Sequence, residues 1–312
     1  MDFLGILFGI ILLSKGGDIL TKSSVDISLK FSVPKIIIGM TVVSFATSAP
    51  ELIVSLNATI DGLPNFAIGN VLGSNIANIG FVLGIITIIY PITLKQRFYS
   101  SDFPILIIST VIFYLFLYTG KAITRLEGII LIFLITLILL YLFFYQKKSI
   151  SDFQDDTNSS DISIIKSFLM ILFSGSLLWL GSETLIKSAV SVASKFQISE
   201  RVISVSMVAI GTSIPELAAS VVASIKKQND LSIGNLIGSN IFNLLVVIGI
   251  TSTLIPITGV EDRAINYDMI WVLSISLLLF PLAFFGKKNI LTRTKGIILL
   301  LLYVTFLIPL FY

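Results

Sequence analysis

The segment SFATSAPE at residues 44–51 recurs as AIGTSIPE at residues 209–216, 165 positions further along the chain. With the same offset, GNVLGSNIAN at residues 69–78 matches GNLIGSNIFN at residues 234–243. Aligning residues 44–78 with residues 209–243 gives 16 identities in 35 positions without a gap. The chain therefore contains an internal duplication, and its fold is predicted from two copies of one unit.

The composition indicates the medium in which these copies fold. Hydrophobic residues make up 55% of the 312 residues and charged residues only 12%, whereas a soluble domain carries about 25% charged residues. Apolar stretches near the roughly 20-residue length of a bilayer-spanning helix recur throughout. We therefore expect an all-α integral membrane protein. The N-terminus lacks a basic segment followed by a cleavage site, so we expect an uncleaved first helix.

Gly, Pro and charged residues divide the sequence into ten predicted transmembrane helices, five in each copy. The predicted spans are about 3–29, 35–60, 66–90, 102–119, 126–146, 164–195, 200–226, 231–255, 267–285 and 294–311. The predicted organisation is a first five-helix repeat at 1–148, a polar linker at 149–163 and a second five-helix repeat at 164–312. The duplicated motifs occupy residues 39–84 and 204–249.

An odd number of helices in each repeat determines their relative orientation. The second repeat must enter the membrane from the opposite side, and inverted repeats of this kind are typical of secondary transporters. One set of loops contains 13 Lys and Arg residues and the other set contains 5. Because positive charge is retained in the cytoplasm, we expect both termini outside and the linker at 149–163 inside. The expected location is the plasma membrane.

Two charged residues lie well inside the predicted spans, namely Glu51 and Glu216. A charge at the bilayer centre costs at least about 2.5–3.5 kcal/mol, so such residues are usually functional. A proline precedes each glutamate, which removes a helical hydrogen bond and frees carbonyl groups one turn earlier. We therefore predict that the second and third helices are broken, as are the matching seventh and eighth helices of the second repeat. The adjacent hydroxyl groups belong to Thr47, Ser48, Thr212 and Ser213.

The third helix of each repeat contributes a polar face. Ser74 and Asn78 are four residues apart and so point the same way, as do Ser239 and Asn243. Polar side chains in a membrane span rarely face lipid, and we expect all four to line the cavity that contains the glutamates. The Gly-x-x-x-Gly spacing in the same segments also favours close helix packing.

The combined site is made entirely of oxygen atoms, which suits hard cations such as Ca²⁺ and Na⁺. Its charge of −2 would balance one Ca²⁺ or two to three Na⁺. The sequence has neither His nor Cys, which excludes thiolate or imidazole metal sites and Ser-His or Cys-His catalysis. We therefore expect no enzyme and no cofactor beyond the transported ions. The net charge of +3 gives no reason to expect a nucleic-acid partner.

The motifs TSAPE at 47–51 with GSNIAN at 73–78, and TSIPE at 212–216 with GSNIFN at 238–243, closely resemble the paired α-repeats of the cation/calcium antiporter superfamily. Within that superfamily, the motifs resemble in particular the sodium/calcium exchangers of the prokaryotic type. It implies Na⁺/Ca²⁺ exchange by alternating access, in which the first and sixth helices slide across the others. The implied partners are Ca²⁺, Na⁺ and the lipid bilayer, without an obligatory protein partner.

The resemblance also implies ligands. Ca²⁺ would be held by the carboxylates of Glu51 and Glu216 and the carbonyl groups of Thr47 and Thr212. Two Na⁺ sites would flank it, one using Ser44, Thr47, Ser74 and Glu216, and the other using Ala209, Thr212, Ser239 and Glu51. Asn78 and Asn243 would complete the centre.

The sequence departs from the family pattern at three positions. Ala46 stands where the family usually has Gly, and Ser44 stands where a small apolar residue is common. Asn243 occupies a position where several relatives, including potassium-dependent exchangers, carry Asp. Two central carboxylates rather than three argue against K⁺ co-transport.

Other functions remain open at this point. A pair of glutamates can also share protons, which would permit exchange of H⁺ for Ca²⁺ or for another divalent cation at the same site. A cation channel could use a ring of carboxylates, but broken helices in inverted repeats favour a transporter. Asp18 and Glu183 each precede a Lys by four residues and are predicted to form ion pairs along their own helices.

Overall fold

The computed structural model describes residues 2–145, 163–196, 211–284 and 289–311. Within these ranges the chain forms ten helical segments, which we number α1 to α10. They are α1 (Asp2–Phe31), α2 (Lys35–Ile60), α3 (Pro64–Ile89), α4 (Phe98–Gly120), α5 (Arg125–Tyr145), α6 (Ile164–Lys195), α7 (Ile214–Ile225), α8 (Asn229–Leu254), α9 (Ala264–Phe284) and α10 (Arg293–Phe311). Eight of them are long and apolar enough to cross a membrane.

The predicted ten-helix plan is confirmed, and its boundaries shift by a few residues. The main change is at α4, which begins at Phe98 rather than near residue 102. The charged residues that signalled a loop there form an ion pair instead, with Arg97 Nε 3.1 Å from the buried carboxylate of Asp102. The predicted linker at 149–163 lies outside the described residues except for Ser163, as does the first half of the predicted seventh helix.

The interruptions in the helices take the form of π-helical turns. They lie at Gly39–Val43 in α2, Asn78–Val82 in α3 and Asn243–Val247 in α8. Two further π-helical turns, Phe98–Asp102 and Ala264–Asp268, begin α4 and α9. The α-helix that follows in α2 continues through Pro50. In the second repeat, Gly211–Ser213 is not helical and α7 begins immediately before Pro215. The first turn of a helix tolerates proline because its N–H groups lack intrahelical partners.

If successive helices cross the membrane in alternating directions, connections on the same side of the bundle can contact one another, and two such contacts are present. Strand β1 (Ile92–Thr93) pairs antiparallel with β2 (Ile290–Leu291), which joins the α3–α4 and α9–α10 connections. At the opposite end, Ile123 forms a β-bridge with Ile257. The two groups of connections correspond to the two faces predicted from the Lys and Arg distribution.

Burial places α3 and α8 at the centre of the bundle. The apolar windows of α8 and α3 are 89% and 72% buried, compared with 28% for α4 and 22% for α5. The polar residues of α3 and α8 therefore face protein rather than lipid. Inside a membrane, amide side chains need such surroundings because their hydrogen-bond partners must come from the protein.

Helices α1 and α6 pack against each other in antiparallel orientation along a row of glycines. A Cβ atom added to Gly9 would lie 2.9 Å from the Gly181 carbonyl oxygen, and one added to Gly16 would lie 3.0 Å from Leu178 Cγ. Small residues permit this close approach of two membrane helices. The two longest helices thus form one pair beside the bundle.

Candidate functional site

Glu51 and Glu216 are both completely buried. Glu51 lies in the middle of α2, whereas Glu216 lies in the first turn of α7. The N-terminal end of a helix favours a negative charge because its N–H dipoles point toward it. The two carboxylates are close enough for their charges to interact. In a low-dielectric interior this arrangement is unfavourable unless positive charge compensates it.

Several buried oxygen atoms, on the two glutamates and on segments that pack against their helices, accept no hydrogen bond from the described residues. They are Glu51 Oε1 and Oε2, Glu216 Oε2, Ser213 Oγ, Asn78 Oδ1 and Asn243 Oδ1. Each unsatisfied buried polar atom costs about 1–3 kcal/mol, so a protein rarely retains several of them in one place without a purpose. A set of six oxygen acceptors fits a hard cation.

Hydroxyl groups bridge the two repeats around this centre. Ser74 Oγ lies 2.8 Å from Thr212 Oγ1, and Thr47 Oγ1 lies 3.3 Å from Ser239 Oγ. Ser48 Oγ donates to Glu216 Oε1 over 3.2 Å. Each bridge joins the first repeat to the second, so the two motifs meet as expected.

Two asparagines that the sequence analysis did not select hold the middle of the site. Asn75 Nδ2 donates to the Asn240 carbonyl oxygen over 3.1 Å, and Asn240 Nδ2 donates to the Asn75 carbonyl oxygen over 3.2 Å. Asn240 Oδ1 accepts a hydrogen bond from Asn78 Nδ2, and Asn75 Oδ1 accepts one from Asn243 Nδ2, both over 3.1 Å. These bonds engage the amide N–H groups of Asn78 and Asn243 and leave their Oδ1 atoms as the unpaired acceptors.

A second pair of asparagines supports the hydroxyl groups. Asn235 Oδ1 accepts hydrogen bonds from Thr47 Oγ1 over 3.1 Å and from Ser239 Oγ over 3.5 Å. Asn235 Nδ2 donates to Ser220 Oγ, and Asn70 Nδ2 makes the equivalent bond to Ser55, each over 3.0 Å. Asn70 and Asn235 occupy matching positions of the two repeats, and this repetition could have identified them from the sequence.

Two predicted ligands remain, Ser44 and Ala209. The Ser44 hydroxyl donates to the carbonyl oxygens of Gly39 and Asn235, over 2.8 and 2.9 Å, and thereby links α2 to α8. Its carbonyl group is the oxygen that it would offer an ion. Ala209 lies outside the described residues. Within the described ranges, no group of three or more His, Cys, Asp or Glu side chains is placed to hold a metal.

Comparison with known proteins gives consistent matches over the whole chain. The family model described as sodium/calcium exchanger protein matches residues 1–144 and 166–312. The sodium/calcium exchanger MaX1 of Methanosarcina acetivorans is 29% identical, with 100% of this chain and 99% of that protein covered. The inner membrane protein YrbG of Escherichia coli is 30% identical, with 94% and 92% covered. Among solved structures, the sodium-calcium exchanger NCX_Mj superposes with a TM-score of 0.83 at 28% identity, covering 97% of each chain.

Proposed function

The chain belongs to the sodium/calcium exchanger family and is a cation/calcium antiporter of that type, and we propose that it exchanges Na⁺ for Ca²⁺ at the Glu51/Glu216 site. The observation that carries this proposal is the set of six buried oxygen atoms without hydrogen-bond donors. They lie between two inverted helix pairs, where a transporter exposes one site alternately to the two sides. The proposal includes alternating access.

We assign the ligands as follows. The carboxylates of Glu51 and Glu216 bind Ca²⁺ together with the carbonyl groups of Thr47 and Thr212. The Na⁺ ligands also include Ser74 and Ser239, with the carbonyl groups of Ser44 and Ala209, while Ser48, Ser213, Asn78 and Asn243 complete the oxygen lining. Two relatives support the ion assignment, since MaX1 is named a sodium/calcium exchanger and the NCX_Mj structure describes extracellular ion exchange.

The charge of the site explains why transport is an exchange. An empty site would place two carboxylates in a low-dielectric interior, which is costly. Binding one Ca²⁺ or several Na⁺ neutralises them, so the carrier changes sides only when it is loaded. Transport by this mechanism needs no catalytic residue and no cofactor, and its partners are the two ions and the bilayer.

The proposed orientation follows from the loops. The face that contains β1, β2 and Lys226 carries the excess of Lys and Arg and would lie in the cytoplasm. Both termini would then lie outside a plasma membrane.

The experiment is ⁴⁵Ca²⁺ uptake into proteoliposomes loaded with Na⁺, compared with K⁺-loaded and acid-loaded vesicles. We expect uptake that requires internal Na⁺ in the wild type and is absent in Glu51→Gln. Ser109→Ala is the control, since Ser109 is a buried serine of α4 that is not among the proposed ligands.

H⁺/Ca²⁺ exchange is the second candidate, because the two interacting carboxylates could carry protons instead of Na⁺. Uptake driven by the proton gradient without Na⁺ would favour it. Uptake that persists in Glu51→Gln would contradict the assignment of the site for either coupling ion.

A further inference from the structure

An ion pair joins the α1–α6 pair to the rest of the bundle. The ammonium group of Lys226, at the C-terminal end of α7, contacts the carboxylate of Asp18 in α1. Asp18 was predicted to pair with Lys22 on its own helix, and the structure shows Lys226 as its partner instead. The equivalent prediction for Glu183 is confirmed, since Lys187 Nζ lies 2.7 Å from its carboxylate.

The second repeat offers a direct comparison, because each half of this ion pair has a counterpart 165 residues away. Asp18 corresponds to Glu183, and Lys226 corresponds to Asp61. The backbone supports the second match: Asp61 ends its helix with φ −77° and ψ 4°, and Lys226 ends α7 with φ −80° and ψ 9°. A left-handed residue follows each of them, Gly62 at φ 75° and Lys227 at φ 61°. The counterpart of the ion pair is therefore a pair of acids.

The helix packing around these charges also differs between the two repeats. A Cβ atom added to Gly17 of α1 would lie 3.0 Å from Val222 Cγ2 and 3.1 Å from the Ala218 carbonyl oxygen, so α1 is seated on α7. The equivalent positions on α2 are Ile53 and Asn57, and both are exposed. The structure thus has α1 packed against α7 near the end that carries Lys226. Helix α6 contacts α2 where Gly175 meets the Ala46 carbonyl group, and it leaves Ile53 and Asn57 of α2 exposed toward the opposite end.

We propose that Asp18 and Lys226 form a latch that favours this conformation, and that no equivalent latch exists for the opposite one. The inference rests on the proposed alternating access. By the symmetry of the repeats, the opposite conformation would seat α6 on α2 and bring Glu183 toward Asp61. In that state Glu183, which Lys187 of its own helix neutralises, would meet a second acid instead of a lysine, so no ion pair would join α6 to α2. Asp18 and Lys226, in contrast, stabilise the present conformation. The charge difference between the repeats therefore sets the resting direction in which the site faces.

Cysteine labelling tests the latch directly, because the sequence contains no Cys. The reporter is Val222→Cys, which α1 covers here, studied in nanodiscs with a membrane-impermeant maleimide. We expect Lys226→Asp to increase its labelling rate by roughly three- to tenfold, since an exposed ion pair is weak and its replacement adds repulsion. The exchanged pair Asp18→Lys/Lys226→Asp should restore the slow rate.

A second variant acts at the opposite end of the molecule. Asp61→Lys would create a new ion pair with Glu183 in the alternative conformation. We expect faster labelling of Val222→Cys and slower labelling of an Asn57→Cys reporter, because both reporters sense one two-state equilibrium. Lys227→Asp is the matched control: it makes the same charge change one residue further along and should leave both rates unchanged.

Two results would overturn the latch: an unchanged labelling rate in Lys226→Asp, or no restoration in the exchanged pair while the variant remains monodisperse. The readout does not depend on transport. Wild-type vesicles that exchange Na⁺ for Ca²⁺ with unaltered labelling in the variants would contradict the latch alone, whereas vesicles that fail to exchange would contradict the proposed function.

Discussion

The hydroxyl groups of Thr47 and Ser239 can act as cation ligands only if their protons point away from the ion. Asn235 Oδ1 is the acceptor that both protons can share, beside the carbonyl oxygens of Val43 and Ser44 for Thr47. The amide N–H group of Asn235 is held by Ser220. We expect this amide to turn the lone pairs of both hydroxyl groups toward the proposed ions. Groups of this kind outside the first layer of ligands typically change metal affinity by 10–100-fold.

Replacing Asn235 with Leu, which has a similar volume, tests this role. We expect the concentration of Na⁺ that gives half-maximal ⁴⁵Ca²⁺ exchange to rise by about tenfold, because the two hydroxyl groups lose their common acceptor. Asn65→Leu is the control, since Asn65 is partly buried away from the glutamates and, among the described residues, bonds to the backbone of Gly259 and Glu261. Equal Na⁺ dependence in the wild type and Asn235→Leu would show that Asn235 does not orient these ligands.

Thermal stability gives a measure of ion binding that is independent of transport. A ligand that binds only the folded protein raises stability by about 2.7 kcal/mol at 100 times its Kd. We expect Ca²⁺ to raise the Tm of the wild-type protein and to leave the Tm of Glu51→Gln unchanged, because that variant lacks one of the two carboxylates. Differential scanning fluorimetry with and without Ca²⁺ measures both values. A full Ca²⁺-induced shift in Glu51→Gln would place the binding site elsewhere.

At the scale of helices, glycines bring α2 and α8 into backbone contact next to the site. A Cβ atom added to Gly39 would lie 2.6 Å from the Leu231 carbonyl oxygen, and one added to Gly238 would lie 2.5 Å from Met40 Cα. Backbone atoms cannot move aside as the end of a side chain can. The contact sets the distance at which Ser44 reaches the Asn235 carbonyl group.

The variant Gly238→Ala should therefore destabilise the protein. Forcing a methyl group into a filled space typically costs about 1–3 kcal/mol, and we expect a lower Tm and a smaller monodisperse fraction in size-exclusion chromatography. Gly120→Ala provides the comparison, because its added Cβ would meet only Ala122 Cβ at 3.9 Å. Similar Tm values for the two variants would show that the helices can separate without penalty.

The π-helical turns that begin at Asn78 and Asn243 also belong to this scale. Such turns are rare and frequently occur at functional sites. Here each one starts at an asparagine whose amide is held by the opposite repeat. The turn and the cross-repeat hydrogen bond occur together in both copies.

For the whole molecule, the important quantity is the charge buried at its centre. Glu51 and Glu216 are fully buried and interact, so a carrier that changed sides without cations would carry two uncompensated carboxylates. We expect proteoliposomes loaded with ⁴⁵Ca²⁺ to retain it in a choline medium and to release it when external Na⁺ or unlabelled Ca²⁺ is added. Release into choline alone at a comparable rate would contradict obligatory exchange and favour a channel.

The sequence by itself determined the membrane class, the ten helices, the duplication and the two central glutamates. Each of these is local or periodic: hydropathy over about 20 residues marks a span, and a constant offset of 165 residues marks a repeat. The paired motifs also indicated the family that the whole-chain comparisons then showed. The arrangement of the predicted ion ligands remains a prediction until binding is measured.

Only the tertiary structure decided which polar residues hold the ligands and which charges meet. Asn75 and Asn240 are 165 residues apart in the sequence yet form hydrogen bonds with each other. Asp18 forms its ion pair with Lys226, although Lys22 is nearer in the sequence. Spacing along one helix reports only neighbours on that helix. The inversion of the repeats brings distant segments together, and the partner of each buried polar group is set by that packing, because a polar group in the membrane interior must find its partner within the protein.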